Sequence, residues 1–399
     1  MPAMDNPFDP AARRILTLKP GKERVVGNRH PWIFGGAIGH ERGPEDAAFA
    51  DLVDAKGVRL ASGFHSRYSQ IRLRALTFGA EELSAAALEA RIVRAITRRS
   101  GLRSERTDAV RLINADGDEL SGLIVDLYRD VAVVEIANAG LETIKPLVIE
   151  ILRREVSLRG IFFKNDIPAR ETERLPLASE WSGEGEAGTE ILENGLRFRV
   201  EPASGQKTGF FLDQRENREL ARSLASGRRV LNLFSYTGAF GVYAATGGAS
   251  SVENIDTSVP AMELAKTHHE INGLTTAARF TIADAFSFVR NRPEPAELVI
   301  IDPPALAKAR GDVDRAARAY KDVNLFALRC IPAGGQMMTF SCSGHISIDL
   351  FQKVIFAAAL DAGRRVSFVR RLTAGVDHPV SLDCPEGEYL KGFLLDVHE

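Results

Sequence analysis

The chain has 399 residues, 45% of them hydrophobic and 26% charged, with a formal net charge of −2. This is the profile of an ordinary globular protein with enough chain for two or three domains, and it excludes collagenous, disordered and membrane-dominated classes. No apolar run approaches the ~18 residues that span a bilayer, and the opening MPAMDNPFDPAARRI has no signal-peptide stretch, so a cytoplasmic location is expected.

Charge is unevenly spread: residues 1–110 carry 18 Lys+Arg against 13 Asp+Glu, and the remainder carries 33 against 40. A mildly basic front part suits phosphate contacts, although a solvated charged face accounts for it equally well. The three cysteines, Cys330, Cys342 and Cys384, have no CxxC spacing and no Cys/His clustering in sequence, which points to neither a disulfide framework nor a metal site.

From about Ile15 to Leu76 the pattern is short strands and turns. Ile71, Leu73 and Ala75 alternate with Arg72 and Arg74, as a strand with one basic face would. Between Glu81 and Arg99 the period becomes helical, with Leu88, Ile92, Val93 and Ile96 on one stripe and Arg91, Arg94, Arg98 and Arg99 largely opposite. INADGDELSGLIVDLYRDVAVVEI reads as two strands around turns, followed by the helical LETIKPLVIEILRREV and the strand RGIFFKND. The Gly- and Glu-rich WSGEGEAGTE reads as an exposed joint. The expected division is a β-rich domain over 1–80, an α+β domain over 81–185 and an α/β domain over 186–399.

In the last of these, strands such as RRVLNLFS, SSVENID, ARFTIAD, ELVIID and GGQMMTFS alternate with helices, which predicts a doubly wound, mainly parallel sheet. Ligands in such folds bind beyond the carboxyl ends of the strands. Gly238, Asp256, Asp284 and Asp302 stand in order at successive strand ends. Gly238 and Gly241 permit close backbone approach at a helix start, Asp256 can accept from ribose hydroxyls, and Asp284 can accept from an exocyclic amine. Taken singly, either acid could instead be a helix cap. The Gly-x-x-Gly spacing departs from the dinucleotide fingerprint and disfavours NAD. The ordered series resembles the class I, Rossmann-like S-adenosylmethionine-dependent methyltransferases. That resemblance implies that Asn232, Phe234, Tyr236, Thr237 and Gly238 line the methionine half of the cofactor. It also implies that Asp256 with Ser258 holds the ribose, and that Asp284 with Ala285 frames the adenine.

Asp302-Pro303-Pro304 follows a strand, and consecutive prolines continue neither a ladder nor a helix, so Asp302 is left at the sheet's edge. No aromatic follows the prolines; Ala305 and Leu306 do. This disfavours methylation of an exocyclic amine. Cys342, in FSCSG, offers a nucleophile for a carbon target: a thiolate adding to C6 of cytosine makes C5 reactive. The alternative for a lone cysteine is a small buried hydrophobe. Methylation of a purine nitrogen and a non-catalytic RNA-binding assembly factor are the competing functions.

GNRHPWIFGGAI, NADGDELSGLIVDLY, SGQKTGFFLDQREN, NLFSYTGAFG, IDPPALAK, FSCSG and CPEGEYLKGF occur in this order along nearly the whole chain. Together they resemble the PUA-containing ribosomal RNA large-subunit methyltransferases of bacteria, typified by a 23S rRNA cytosine-C5 enzyme. The resemblance implies an N-terminal PUA-like RNA-binding domain, S-adenosylmethionine as cofactor, and ribosomal RNA, 23S by that likeness, as partner. It also implies that Lys207, Thr208 and Phe210 border the cofactor together with Asp302 and Pro303, and that Cys342 and Asp302 are catalytic. Leu306 stands where the family has Phe. From residue types alone, GQKTGFFLDQR reads as a strand, a turn and a helix start. Trp32 and Phe34 are expected in the core, leaving Arg67, Arg72 and Arg74 as the better RNA contacts. A homodimer is compatible with the sequence, in which no interface is legible.

Overall fold

The structure, a computed structural model, describes residues 6–292 and 294–399. The chain divides into two compact units. One contains the residues up to Ile191 together with Val200–Phe211 and Asp377–Gly387; the other contains Leu192–Arg199, Leu212–Val376 and Glu388–Glu399.

The first unit contains two sheets. Six short strands run in the spatial order Trp32–Phe34, Ile71–Phe78, Arg59–His65, Phe49–Val53, Arg14–Leu18 and Ile38–Arg42. Alternation along them turns Leu16, Leu18, Ile33, Leu52 and Leu73 inward to one core. The second sheet runs in the order Ala178–Gly183, Gly160–Asn165, Val131–Ile136, Leu123–Tyr128 and Ala109–Asn114. Its only parallel pair joins Val131–Ile136 to Gly160–Asn165, a connection that needs a crossover, and the helix Lys145–Glu155 provides it.

Two local expectations change. Part of the supposed joint is the strand Ala178–Gly183, with Trp181 opposite Phe162. It lies at a sheet edge and is exposed or half-buried throughout, so no apolar alternation marked it. In the helix Ala85–Arg98, Arg91 lies on the buried face with Leu88, Ile92 and Ala95, and Arg99 is buried just beyond. Arg91 donates to Leu76 O and Glu81. Arg99 grips both oxygens of Asp118 at 2.7 and 2.8 Å and donates to Asp377 O. The last contact helps to hold Asp377–Gly387 in this unit, along with Arg111 N to Asp377 Oδ2 and Asn114 Nδ2 to Pro379 O.

The second unit is built on seven strands in the order Ala277–Ile282, Ser251–Asp256, Arg229–Leu233, Leu298–Ile301, Gln336–Ser341, Lys391–Val397 and Val366–Thr373. The first five are parallel, and Lys391–Val397 runs antiparallel to both of its neighbours. Central strands read as continuous apolar runs (Leu298, Val299, Ile300, Ile301) because helices such as Ala239–Thr246 and Val313–Cys330 cover both faces. Strand order reverses at Arg229–Leu233 and Leu298–Ile301, so the crevice beyond their carboxyl ends is the topological switch point. Among the described residues, no helix is long and apolar enough to cross a membrane.

The buried Arg99–Asp118 pair gives a stability test. Asp118→Ala leaves a guanidinium uncompensated and is expected to cost about 3–5 kcal/mol. The chain's two tryptophans, Trp32 and Trp181, both lie in the first unit. Urea unfolding followed by tryptophan fluorescence therefore reads the loss directly, and an unchanged midpoint would reject the clamp.

Candidate active site

At the switch point the strand Arg229–Leu233 ends in a tight turn in which Phe234, Tyr236 and Gly238 all have positive φ. Only glycine adopts that conformation freely. A Cβ on Gly238 would lie 2.8 Å from Ala265 Cβ, and one on Gly241 would clash with Asn254 Oδ1, so the helix Ala239–Thr246 packs closer than any side chain would permit. Buried Asn232 donates to the same Asn254 oxygen at 2.9 Å. Asp256 ties this turn to the next strand: Oδ2 accepts the Tyr236 N–H at 2.8 Å and Oδ1 accepts the Ser258 N–H at 2.9 Å. The helix Val259–Ile271 is capped by Ser258, so Asp256 is not the cap. Asp284 does cap its helix, accepting the Ser287 N–H at 2.8 Å, and it remains exposed at the head of a short helix that begins with buried Ala285. Phe234 meets Phe286 edge to face. A tight turn with glycines at the helix start, followed by acids at two adjacent strand ends, fits a nucleoside bearing ribose hydroxyls and an amine.

Asp302 is half-buried, and its Oδ2 accepts from Gln214 Nε2 at 2.9 Å. Gln214 is oriented by Asn217, whose amide donates to Gln214 Oε1 and to Thr373 O. Pro303 is buried. The two segments singled out by chemistry come together here: Cys342 Sγ lies 3.6 Å from Pro303 O. Leu306 is partly buried and packs on the core, so this position fills the interior in place of an aromatic ring.

Four groups that residue types alone left unmarked, Tyr320, Ser341, Ser343 and Lys391, complete the arrangement. The buried Tyr320 hydroxyl accepts from Ser341 Oγ at 2.9 Å and lies 3.0 Å from Ser343 Oγ, which in turn accepts the Ala307 N–H at 3.1 Å. Burial pushes the Tyr320 phenol above its ordinary range, so it stays a neutral donor. Lys391, 5% exposed, donates to Ser343 O at 2.8 Å. Burial lowers its pKa, and the nearby Cys342 and Glu388 oppose that shift. The antiparallel pairing of Ser341 with Lys391 is what delivers it. Lys391 lies within the CPEGEYLKGF segment, the one signal that could have found it.

The other thiols differ. Cys330 and Cys384 are buried, and Cys342 is not. Burial raises Cys330, while burial reinforced by Asp116 and Glu386 pushes Cys384 up to about 12. Cys384 lies near His30 and Glu386. His30 Nδ1 accepts the Trp32 N–H at 3.0 Å, so its Nε2 hydrogen faces Glu386 at 3.1 Å and that nitrogen offers no lone pair.

In the first unit Thr208 and Phe210 are 1% and 3% exposed. Thr208 donates to Asp126 at 2.6 Å and meets Tyr128 Oη at 2.8 Å, while Arg111 holds Asp126 by both oxygens at 2.8 Å. Lys207 is exposed, with φ of 49° and its ammonium over the Phe211 ring. Nearby Glu135 is half-buried and raised to about 7, chiefly by burial. GQKTGFFLDQR contains no strand; its first part is irregular and Leu212–Gln214 is a short 3-10 turn before the helix Arg215–Leu224.

Residues 169–384 match the S-adenosylmethionine-dependent methyltransferase family, and residues 16–78 match a PUA-like domain. Ribosomal RNA large subunit methyltransferase I of Shewanella denitrificans is 40% identical over 392 residues, spanning 96% of this chain and 99% of that protein. The protein of the same name from Shewanella amazonensis is 38% identical over 391 residues, with the same coverage. Among solved structures, a Streptococcus mutans protein described as a candidate SAM-dependent methyltransferase superposes with a TM-score of 0.81 at 23% identity, over 96% of this chain and 99% of that one. A second structure, SMU.776 complexed with SAH, gives the same values and shows the likeness of fold. The chain belongs to the S-adenosylmethionine-dependent methyltransferase family, in the PUA-bearing branch that contains these full-length relatives.

Proposed function

We propose that this methyltransferase modifies C5 of a cytosine in large-subunit ribosomal RNA, the substrate class named for its relatives, through a covalent adduct of Cys342. The observation that carries this reading is Cys342 itself, half-buried where the other two cysteines are buried, lying 3.6 Å from the Pro303 carbonyl of the Asp302-Pro303-Pro304 turn.

Cytosine C5 is a weak nucleophile. Attack of the Cys342 thiolate on C6 forms the S–C6 bond and moves the C5=C6 electron pair onto C5, with Asp302 sharing a proton with N3 as charge builds. When bound, S-adenosylmethionine supplies an electrophilic methyl group to that carbon. Loss of the C5 proton to a base then restores the double bond and expels the thiolate. Lys391 acts as a positioning residue: its charge favours the thiolate and its bond to Ser343 O holds the loop. For the cofactor we propose the turn Asn232, Phe234, Tyr236, Thr237 and Gly238, then Asp256 with Ser258 at the ribose, Asp284 with Ala285 at the adenine, and Asp302 with Pro303 beside the methyl. The resemblance adds Lys207, Thr208 and Phe210 as cofactor neighbours.

Cys342→Ala should lower methylation by roughly 10³-fold or more, on the scale of losing a nucleophile, while S-adenosylmethionine binding by calorimetry persists. Nucleoside mass spectrometry of treated ribosomal RNA should find 5-methylcytidine; a methylated purine, or an active Cys342→Ala enzyme, would overturn the mechanism. Lys391→Met should slow alkylation of Cys342 by iodoacetamide at neutral pH by about tenfold, as removal of one adjacent cation predicts. Peptide mass spectrometry measures the rate, and Lys391→Arg should largely restore it.

A further inference from the structure

The PUA-like sheet has a hollow of about 330 Å³ at its edge, lined by Phe34, Gly35, Gly36, Tyr68, Gln70 and Arg72 among others. Its composition departs from the expectation that Phe34 packs in the core and that Arg67, Arg72 and Arg74 are the free RNA contacts. Arg67 pairs with Glu45, Arg72 with Glu41, and Arg74 with Glu173. Phe34 and Tyr68 are instead 47% and 44% exposed. The cause lies in strand pairing: the register against Ile71–Phe78 slips between Ile33 and Phe34, which turns Phe34 outward, and Tyr68 lies in the connection between Arg59–His65 and Ile71–Phe78.

We infer that this hollow is a binding site for an unstacked nucleobase of single-stranded RNA, seated between Phe34 and Tyr68. The inference rests on the RNA-methyltransferase reading and adds a contact outside the reacting pocket. Four observations carry it. The two exposed rings line one hollow without forming a ring pair of their own, so neither ring is taken up by the other. Gly36 has open space where a side chain would project, so a base edge can approach the backbone. Gln70 is exposed, and its amide has no hydrogen-bond partner among the described residues, so both a donor and an acceptor are available to a base edge. Two guanidinium groups flank the Tyr68 ring, Arg174 at 4.1 Å and Arg67 at 5.5 Å from its centroid; Arg174 pairs with no carboxylate among the described residues and offers a cation to the adjoining phosphate. Aromatic faces with a flanking arginine and an adaptable amide are what single-stranded RNA requires, whereas a duplex presents no free base face.

The test uses the full chain and fluorescence anisotropy with two labelled probes, a short mixed-sequence single-stranded RNA and a blunt duplex of the same sequence. Phe34→Ala and Tyr68→Ala should each weaken single-strand binding by about 5- to 100-fold, the range for loss of one stacked base. Phe34→Tyr should retain binding, and duplex binding should not change. Phe356→Ala, which removes a still more exposed ring from the second unit, should have no effect. The inference is overturned if the alanine variants bind the single strand as wild type does, or lose both probes equally. If wild-type protein binds S-adenosylmethionine but neither RNA, the broader RNA reading fails as well; methylation of ribosomal RNA with unaffected alanine variants removes the base site alone.

Discussion

The Tyr320 hydroxyl, buried between Ser341 and Ser343, is the point on which the reacting end of the molecule depends. It belongs to the helix Val313–Cys330, yet its partners lie at the end of the next strand, and through Ser343 it reaches the backbone of Ala307. Two loops that leave neighbouring parallel strands are thereby held at one separation. A buried hydroxyl cluster of this kind is costly if any member is left unpaired, so it locks rather than merely favours an arrangement. The contact between Cys342 and the Asp302-Pro303-Pro304 turn follows from it.

A parallel sheet imposes the wider geometry. Every connection in it must cross over, so all the loops that follow the strands emerge at one end, and those on either side of the order reversal open a crevice between them. Asp256 uses this directly, since its two oxygens accept N–H groups from its own loop and from the loop one strand away. The single antiparallel strand, Lys391–Val397, has a separate consequence. Running against its neighbour, it brings its first residue to the end where the others finish, and so introduces a buried lysine beside Cys342.

The first unit manages charge differently. Its arginines are mostly consumed internally: Arg99 by Asp118, Arg111 by Asp126, and Arg72 and Arg74 by acids on other elements. A front part with excess positive charge in its composition therefore presents fewer free cations than its count suggests. What it does expose is aromatic, at Phe34 and Tyr68. Large exposed rings side by side are uncommon on a surface without a partner.

The sequence by itself determined the periodic elements, the parallel α/β unit, the ordered acids at its strand ends and the paired Asp-Pro-Pro and cysteine segments, because periodicity and proline are local properties. It also showed, through shared motifs, the family and its cofactor. Only the tertiary structure decided which side of a surface a residue occupies and which charges cancel. The register slip that exposes Phe34, the burial of Arg91 on an apolar face, the exposed edge strand Ala178–Gly183 and the arrival of Lys391 and Tyr320 around Cys342 all join residues far apart in the chain. Such pairings are set by packing and by satisfaction of buried polar groups, which no local pattern encodes.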